Sequence, residues 1–365
     1  MGPRLLIVTA AFGEGHNSAA RNLGLSLEHA GAEVRVCDPC LFAAPRATAM
    51  LSAGYRYLTE HLPSVWEAIY HSTDRQDFSQ RRFPLMGKPE RYLSQLVAEY
   101  QPAAVVSTYP IYPYFLARTF ARSGSPVPVF TVVTDSLEIN SAWLRAPTHR
   151  WLVTDSHTRE KLLRGGIPHE KVIETGFPVH PDFARLQPVA AEDRCLPFHV
   201  LYFATTNKKA LVAQSEAILA ASPVVRLTLA LGKNARRLLP VAKSLRQSYP
   251  GRIRIIGWTR RVPMLLTRHH LVIGKAGGAT VHEAIAAHCP MLIHHLVPGQ
   301  EEGNLQLLEK IGGGTLAAEA DVLHANVSNM LADDAALWRR MKRSIATHGH
   351  NAGAITAANH ILSLI

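Results

Sequence analysis

The chain has 365 residues, 47% of them hydrophobic, and its 39 Lys plus Arg outnumber 28 Asp plus Glu for a formal charge of +11, which points to an anionic partner: nucleic acid, a membrane surface or a phosphate-bearing ligand. That length suggests two domains of roughly 100–200 residues, and the composition excludes disordered and collagen-like classes. No run of about 18 apolar residues is available to span a bilayer, the opening MGPRLLIVTAAFGEGH turns acidic too early for a secretory signal, and four cysteines make no disulfide framework, so a reducing cytoplasm is expected.

In chain order, the apolar run 5–9 predicts a buried strand, a glycine-containing turn follows, and the spacing of Ala19, Leu23 and Ala30 predicts a helix over 18–30 that Gly31 stops. EVRVC at 33–37 reads as the next strand. Residues 46–92, with Trp66 and other aromatics among charged residues, break the alternation and read as an insertion of helices and loops. Strands are predicted at 104–107 and 127–133, with a helix between them. Pro178, Pro181, Pro188 and Pro197 place a domain boundary within 176–197. The scheme then repeats, with strands at 200–203, 226–231, 252–256, 271–273 and 291–294, and a final helix is expected in 353–365. Strands alternating with helices predict parallel sheets covered by helices, in two α/β domains.

Two turns carry chemistry. Phe12-Gly13-Glu14-Gly15-His16-Asn17-Ser18 sits at the carboxyl end of the first strand, the edge at which open parallel sheets bind ligands. It is neither GxGxxG nor a Walker loop, and a plain turn with a helix-capping Asn or Ser is the simpler reading. Yet an imidazole beside two glycines can approach a bound hydroxyl and titrates near neutral pH, as a general base should. In the second half, KAGGATVHEA at 275–284 follows a predicted strand. Gly277 and Gly278 open a helix with Thr280 in its first turn, aiming amides and a hydroxyl at a phosphate, and Lys275 adds charge. Glu283 shares a helix face with Thr280, where a carboxylate can accept from a ribose diol. The next turn, Pro298-Gly299-Gln300-Glu301-Glu302-Gly303-Asn304, is rich in side chains suited to sugar hydroxyls. Charge follows the same division: through Asp182 there are 18 basic and 17 acidic residues, so the remainder carries +10. A field of that sign concentrates anionic ligands and speeds their capture.

KAGGATVHEA followed by VPGQEEGN resembles the donor-site signature of family 28 glycosyltransferases, and FGEGHNSAARNL is similar to the N-terminal motif of their monogalactosyldiacylglycerol synthase and processive diacylglycerol glucosyltransferase branch. Val133-Thr134-Asp135, Trp143, Val153-Thr154-Asp155 and Thr175-Gly176-Phe177-Pro178-Val179 match that branch in order, so the resemblance covers nearly the whole chain. It implies a GT-B fold, two Rossmann-like domains with a cleft between them. Residues 1–181 would bind the acceptor, with a membrane-facing insertion at about 46–92. Residues 182–352 would bind the UDP-sugar, and the helix in 353–365 would pack back on the first domain.

Carried over by motif, Gly277, Gly278 and Thr280 would line the diphosphate, Glu283 would hold the ribose, and Gly257 and Trp258 would form the uracil-recognising turn. Gly299, Gln300, Glu301 and Asn304 would face the donor sugar. His16 would be the catalytic base or orient the substrate, with Gly13, Glu14 and Gly15 at the acceptor. Asp135 would orient His16, act as the base itself, or serve structurally at a strand end. One departure stands out: where the family usually has a glycine-rich loop, this chain reads Ala204-Thr205-Thr206-Asn207-Lys208-Lys209, so the hydroxyls of Thr205 and Thr206 and the lysines would replace backbone amides at a phosphate.

The resemblance implies inverting transfer of a hexose from a UDP-sugar to diacylglycerol or a related lipid, with no metal or cofactor required. Trp66 and Phe83, with Leu85 and Met86 and beside Arg81, Arg82 and Lys88, would lay the protein peripherally on the cytoplasmic face of an anionic membrane. The alternatives are another acceptor (a cell-wall lipid or a soluble molecule), a sugar-nucleotide epimerase of the same fold, or a nucleic-acid-binding protein using residues 226–275. Only Tyr249 and Trp258 interleave that basic stretch, which disfavours nucleic acid. Cys37 and Cys40 have redox-like spacing but no second pair for a zinc site. His269-His270 and His294-His295 are expected to line or flank the cleft.

Overall fold

The computed structural model describes every residue except 1, 12, 13, 75–77, 79–85, 138, 194, 195, 205–207, 298, 300 and 349. Two compact units emerge: Met1–Pro181 with Val297–Asn304 and Ala352–Ile365, and Asp182–Leu296 with Leu305–Asn351.

The first unit begins with β1 (Arg4–Val8), α1 (Glu14–His29) and β2 (Glu33–Cys37), then four helices, α2 (Pro39–Ala43), α3 (Pro45–His61), α4 (Pro63–Asp74) and α5 (Gly87–Tyr100). It continues through β3 (Ala104–Ser107), α6 (Tyr112–Ser123), β4 (Val129–Val132), α7 (Ser141–Leu144), β5 (Arg150–Val153), α8 (Ser156–Arg164) and β6 (Val172–Glu174). All strands are parallel, in the order β2-β1-β3-β4-β5-β6. Leu5, Leu6, Ile7 and Val8 are fully buried because helices cover both faces. The two-residue period of the strand divides them. Leu5 and Ile7 pack with Ala20, Leu23 and Leu27 of α1, while Leu6 and Val8 pack with Leu93 and Leu96 of α5 and Phe115 of α6.

Helix α1 starts four residues earlier than its hydrophobic spacing predicts. The Asn17 carboxamide, a candidate cap by sequence, instead accepts from Thr9 Oγ1 at 3.0 Å, and His16 therefore sits in the first helical turn. Strands β5 and β6, four and three residues long, are too short to show a period.

The second unit runs β7 (Phe198–Phe203), α9 (Lys208–Ala220), β8 (Val225–Ala230), α10 (Ala235–Ser248), β9 (Ile253–Ile256), α11 (Val262–Arg268), β10 (Leu271–Lys275), α12 (Gly278–Ala286) and β11 (Met291–His295). Helix α13 (Glu302–Lys310), β12 (Gly314–Leu316) and α14 (Ala320–Ala346) follow, and α15 (Gly353–Leu362) returns to the first unit. The strands are again all parallel, ordered β12-β11-β10-β7-β8-β9. Trp338 of α14 is fully buried and its indole N–H donates to the His270 carbonyl at 2.7 Å. Ala357, Ala358 and Ile361 of α15 join the core formed by Leu5, Ile7 and α1. Its start requires glycine: a Cβ on Gly353 would lie 2.1 Å from the Phe177 carbonyl oxygen.

In each sheet the first strand lies between its second strand and a strand reached by crossing over, β3 in one case and β10 in the other. The carboxyl ends of β1/β3 and of β7/β10 are therefore the topological switch points, where open parallel sheets leave a crevice for ligands.

Candidate active site

At the first switch point, His16 stands in the opening turn of α1 and is held by the neighbouring strand ends. Thr108, just beyond β3, donates its hydroxyl to the His16 carbonyl at 3.2 Å. Beyond β4, Thr134 Oγ1 lies 2.9 Å from His16 Nδ1. The adjacent Asp135 accepts from Trp143 Nε1 at 2.7 Å. Trp143 is placed by α7, whose N-cap Asn140 accepts from the Ala142 amide at 3.0 Å, and the Trp143 carbonyl accepts from Trp151 Nε1 at 2.8 Å. The His16 ring meets Tyr109 edge-on, centroids 5.2 Å apart. Just beyond β2, Asp38 accepts from the Ala11 amide at 2.8 Å while capping α2 through Leu41.

His16 and Asp135 line one wall of a cavity of about 490 Å³. The other walls are almost entirely apolar: Met50, Leu51, Tyr55 and Leu58 of α3, Trp66 and Ile69 of α4, and Phe78, Met86, Tyr109 and Trp143. Burial lowers the His16 pKa, opposed by Asp135, so the imidazole is neutral at pH 7. Burial raises the Asp135 carboxyl, opposed by His16 and by the indole N–H. For His16 Nε2 to accept a proton, the ring must carry its hydrogen on Nδ1 and donate to Thr134, so Thr134 selects the tautomer. Sequence reasoning quoted Thr134 within a motif but gave it no role, and it gave Tyr109 and the α3 side chains no part in the site; the available signal was that Thr134 precedes Asp135 at a strand end.

Other motif residues hold the scaffold. Asp155 caps α8, accepting from the Thr158 amide at 2.8 Å, and Asn22 of α1 donates to the Pro178 carbonyl at 2.9 Å. Cys37 and Cys40 are buried thiols, each pushed up to about 11 by burial; Tyr112 donates to the Cys40 sulfur, and the pair is part of the core. Glu14 is exposed, 3.9 Å from Arg21, and Gly15 is half-buried beside it in α1. Trp66 is half-buried in the cavity wall, its ring edge-on to Tyr55 at 4.8 Å.

At the second switch point, Gly277 is the extended N-cap of α12 and Gly278 its first residue, so the first-turn amides up to Thr280 point out of the carboxyl edge of the sheet. Glu283 is half-buried one turn on. Gly257 and Trp258 follow β9 on the same edge; Trp258 is 60% exposed, with the Arg260 guanidinium 5.5 Å above its ring. Three strand spacings separate β9 from β10, about 14 Å, a span that a nucleoside diphosphate can bridge. In the turn before α13, Gly299 has φ +75° and Asn304 is buried. Glu301, also buried, accepts from the Val297 amide at 3.1 Å, so at least one of its oxygens closes the turn itself. Gly13, Arg81, Arg82, Phe83, Thr205, Thr206 and Gln300 lie outside the described residues.

Two expectations for this unit are corrected. His269 is buried at the amino edge of the sheet, bonded to the Leu265 carbonyl and Thr228. His294 is buried against Tyr202. Burial drops both to about 4, so both are neutral, buried rings. The basic run is also not gathered at the carboxyl edge: Arg252 lies at the opposite end of the sheet, donating to the carbonyls of Leu219 and Ser222, each at 2.6 Å.

A family model described as monogalactosyldiacylglycerol (MGDG) synthase matches residues 16–179. A processive diacylglycerol beta-glucosyltransferase of Bacillus subtilis (strain 168) is 27% identical over 359 residues, covering 94% of this chain and 90% of the relative. Among solved structures, MurG of Acinetobacter baumannii aligns with TM-score 0.66 at 15% identity, covering 100% of this chain and 99% of that one. A UDP-GlcNAc 2-epimerase from Neisseria meningitidis bound to UDP-GlcNAc aligns with TM-score 0.61 at 14% identity, covering 99% and 98%. Identities this low speak to the fold alone, and that fold is GT-B, two Rossmann-like domains. The matched model and the near-full-length relative, together with the motifs that fall at the two switch points, support grouping the chain with the family 28 glycosyltransferases of the monogalactosyldiacylglycerol synthase and processive diacylglycerol glucosyltransferase type.

Proposed function

We propose that the chain is an inverting glycosyltransferase that moves a hexose from a UDP-sugar to the free hydroxyl of diacylglycerol or a related lipid. The observation that carries this reading is the apolar cavity with a neutral imidazole on its wall. A water-soluble acceptor has no use for a site walled by Met50, Leu51, Leu58, Trp66 and Ile69, whereas a lipid leaves water to enter it, at about 25 cal/mol per Å² of apolar surface. His16 Nε2 takes the proton of the acceptor hydroxyl as its oxygen attacks the anomeric carbon. The bond from that carbon to the diphosphate breaks, and UDP leaves with the electron pair. Asp135 stabilises the imidazolium that forms. First-turn amides of α12, with Thr280 and Lys275, meet the charge developing on the leaving diphosphate. Glu283 would hold the ribose, and Gly257 and Trp258 the uracil.

Exposed apolar side chains on the insertion support peripheral attachment to the cytoplasmic membrane face. Met50, Tyr57, Leu62, Val65 and Ile69 are each more than a third exposed, and Met50 and Ile69 also belong to the cavity wall. A lipid hydroxyl would then pass from bilayer to His16 along continuous apolar surface. The test is incubation with radiolabelled UDP-glucose or UDP-galactose and diacylglycerol vesicles. Label in the lipid fraction is expected; label transferred only to a soluble or cell-wall acceptor, or UDP-GlcNAc epimerised without transfer, would overturn the lipid assignment.

A further inference from the structure

The amino edge of the second sheet contains a separate recess of about 560 Å³. Its polar lining is basic: His199 of β7, Arg226 of β8, Arg252 and Arg254 around β9, Arg268 at the end of α11, and His269. No carboxylate lines it among the described residues. Register accounts for the convergence. His199 pairs with Arg226 and Thr228 with Arg254, so these side chains share one face of adjacent parallel strands.

Part of this cluster has a structural task. Helix carbonyls end at this edge, and cations there are favourable. Arg252 donates to Leu219 and Ser222, Arg226 donates to the Pro223 carbonyl at 2.9 Å, and both nitrogens of His269 are engaged. Arg254 and Arg268 have no such role: both are exposed, and neither has a recorded acceptor among the described residues. Like charges are crowded without a counter-ion. After desolvation, Arg226 is what further lowers the pKa of both His199 and Arg252, and Arg254 contributes to lowering His269. An anion seated in the recess relieves that repulsion, and planar guanidinium forks suit the paired oxygens of a phosphate.

We propose that this recess is a second anion site, taking a phosphate-bearing group (a phosphomonoester or a phosphodiester head) at the end of the sheet opposite the nucleotide edge. Strands of four to six residues separate the two edges by about 15–20 Å, too far for one nucleotide to occupy both.

The experiment uses the full chain with UDP at saturation, so that the nucleotide edge is filled. The soluble arm measures the thermal midpoint against inorganic phosphate and glycerol phosphate. The lipid arm measures co-sedimentation with phosphatidylcholine vesicles with and without phosphatidylglycerol. Both compare the native chain with the double variants Arg254→Ala/Arg268→Ala and Arg254→Lys/Arg268→Lys, with UDP affinity as the check on folding. The alanine pair is expected to lose at least tenfold in affinity for the anion in one arm, with UDP affinity unchanged and partial retention by the lysine pair. Loss in the phosphate arm identifies a soluble ligand, and loss confined to phosphatidylglycerol vesicles identifies a lipid head. Equal binding by native chain and alanine pair in both arms overturns the proposal.

Discussion

The carboxyl edges of the two sheets have the same topology and opposite chemistry. In the first unit the insertion lays α3 and α4 over the edge, and the switch point becomes an apolar cavity in which burial pushes both His16 and Asp135 toward their neutral forms. In the second unit the edge offers the amides of α12 and the half-exposed side chains around it. The strand frame supplies a position in both, and the residues that cover or leave open that position decide whether it is an apolar pocket around an imidazole or an open edge of backbone amides.

The sharpest way to break this contrast is His16→Ala. Loss of a general base is expected to lower kcat by about 10²–10⁴-fold while calorimetry shows unchanged UDP affinity; near-normal turnover would remove the proton-handling role from the first edge. Glu283→Ala is the mirror experiment. It should weaken UDP by about tenfold to a hundredfold, the equivalent of about 1–3 kcal/mol for a lost charged hydrogen bond, with less effect on kcat at saturating donor.

Trp143→Phe tests whether Asp135 acts as a carboxylate. The indole N–H favours the charged form, so its loss raises the Asp135 pKa and moves the acid limb of the kcat/KM profile to higher pH. A purely structural role would lower activity evenly across pH instead. That limb belongs to the His16–Asp135 pair jointly.

A last effect concerns stability alone. His269 and His294 stay neutral in the folded second unit down to about pH 4, whereas unfolded histidine titrates near 6.5. Between those values the unfolded chain binds more protons, so stability is full above about pH 6.5 and falls as pH drops toward 4, by up to about 3 kcal/mol per ring. Thermal midpoints equal at pH 5 and pH 7.5 would show that the rings titrate normally.

Some of this was legible in the residues. β1 and β3 announce themselves as short apolar runs because a strand buried on both faces has no reason to alternate, and Gly277-Gly278 marks the opening of α12 because few other residues let amides approach a ligand. The start of α1 was not legible, since Asn17 looks like a cap and only β1 brings Thr9 within reach of it. Nor was the fate of the second-half charge: a count of basic residues cannot tell the carboxyl edge from the amino edge of a sheet, and Arg252 and Arg254 fell on the latter.

Sequence by itself determined the fold class, the order of the units and the two glycine turns at the carboxyl edges of the sheets, because strand and helix periods and glycine turns are local properties. Tertiary structure alone decided that Thr134 meets His16, that α3 and α4 wall a cavity around it, and that the basic residues divide between opposite edges. Those facts depend on which strand lies beside which, and strand order is a long-range property that no local pattern encodes.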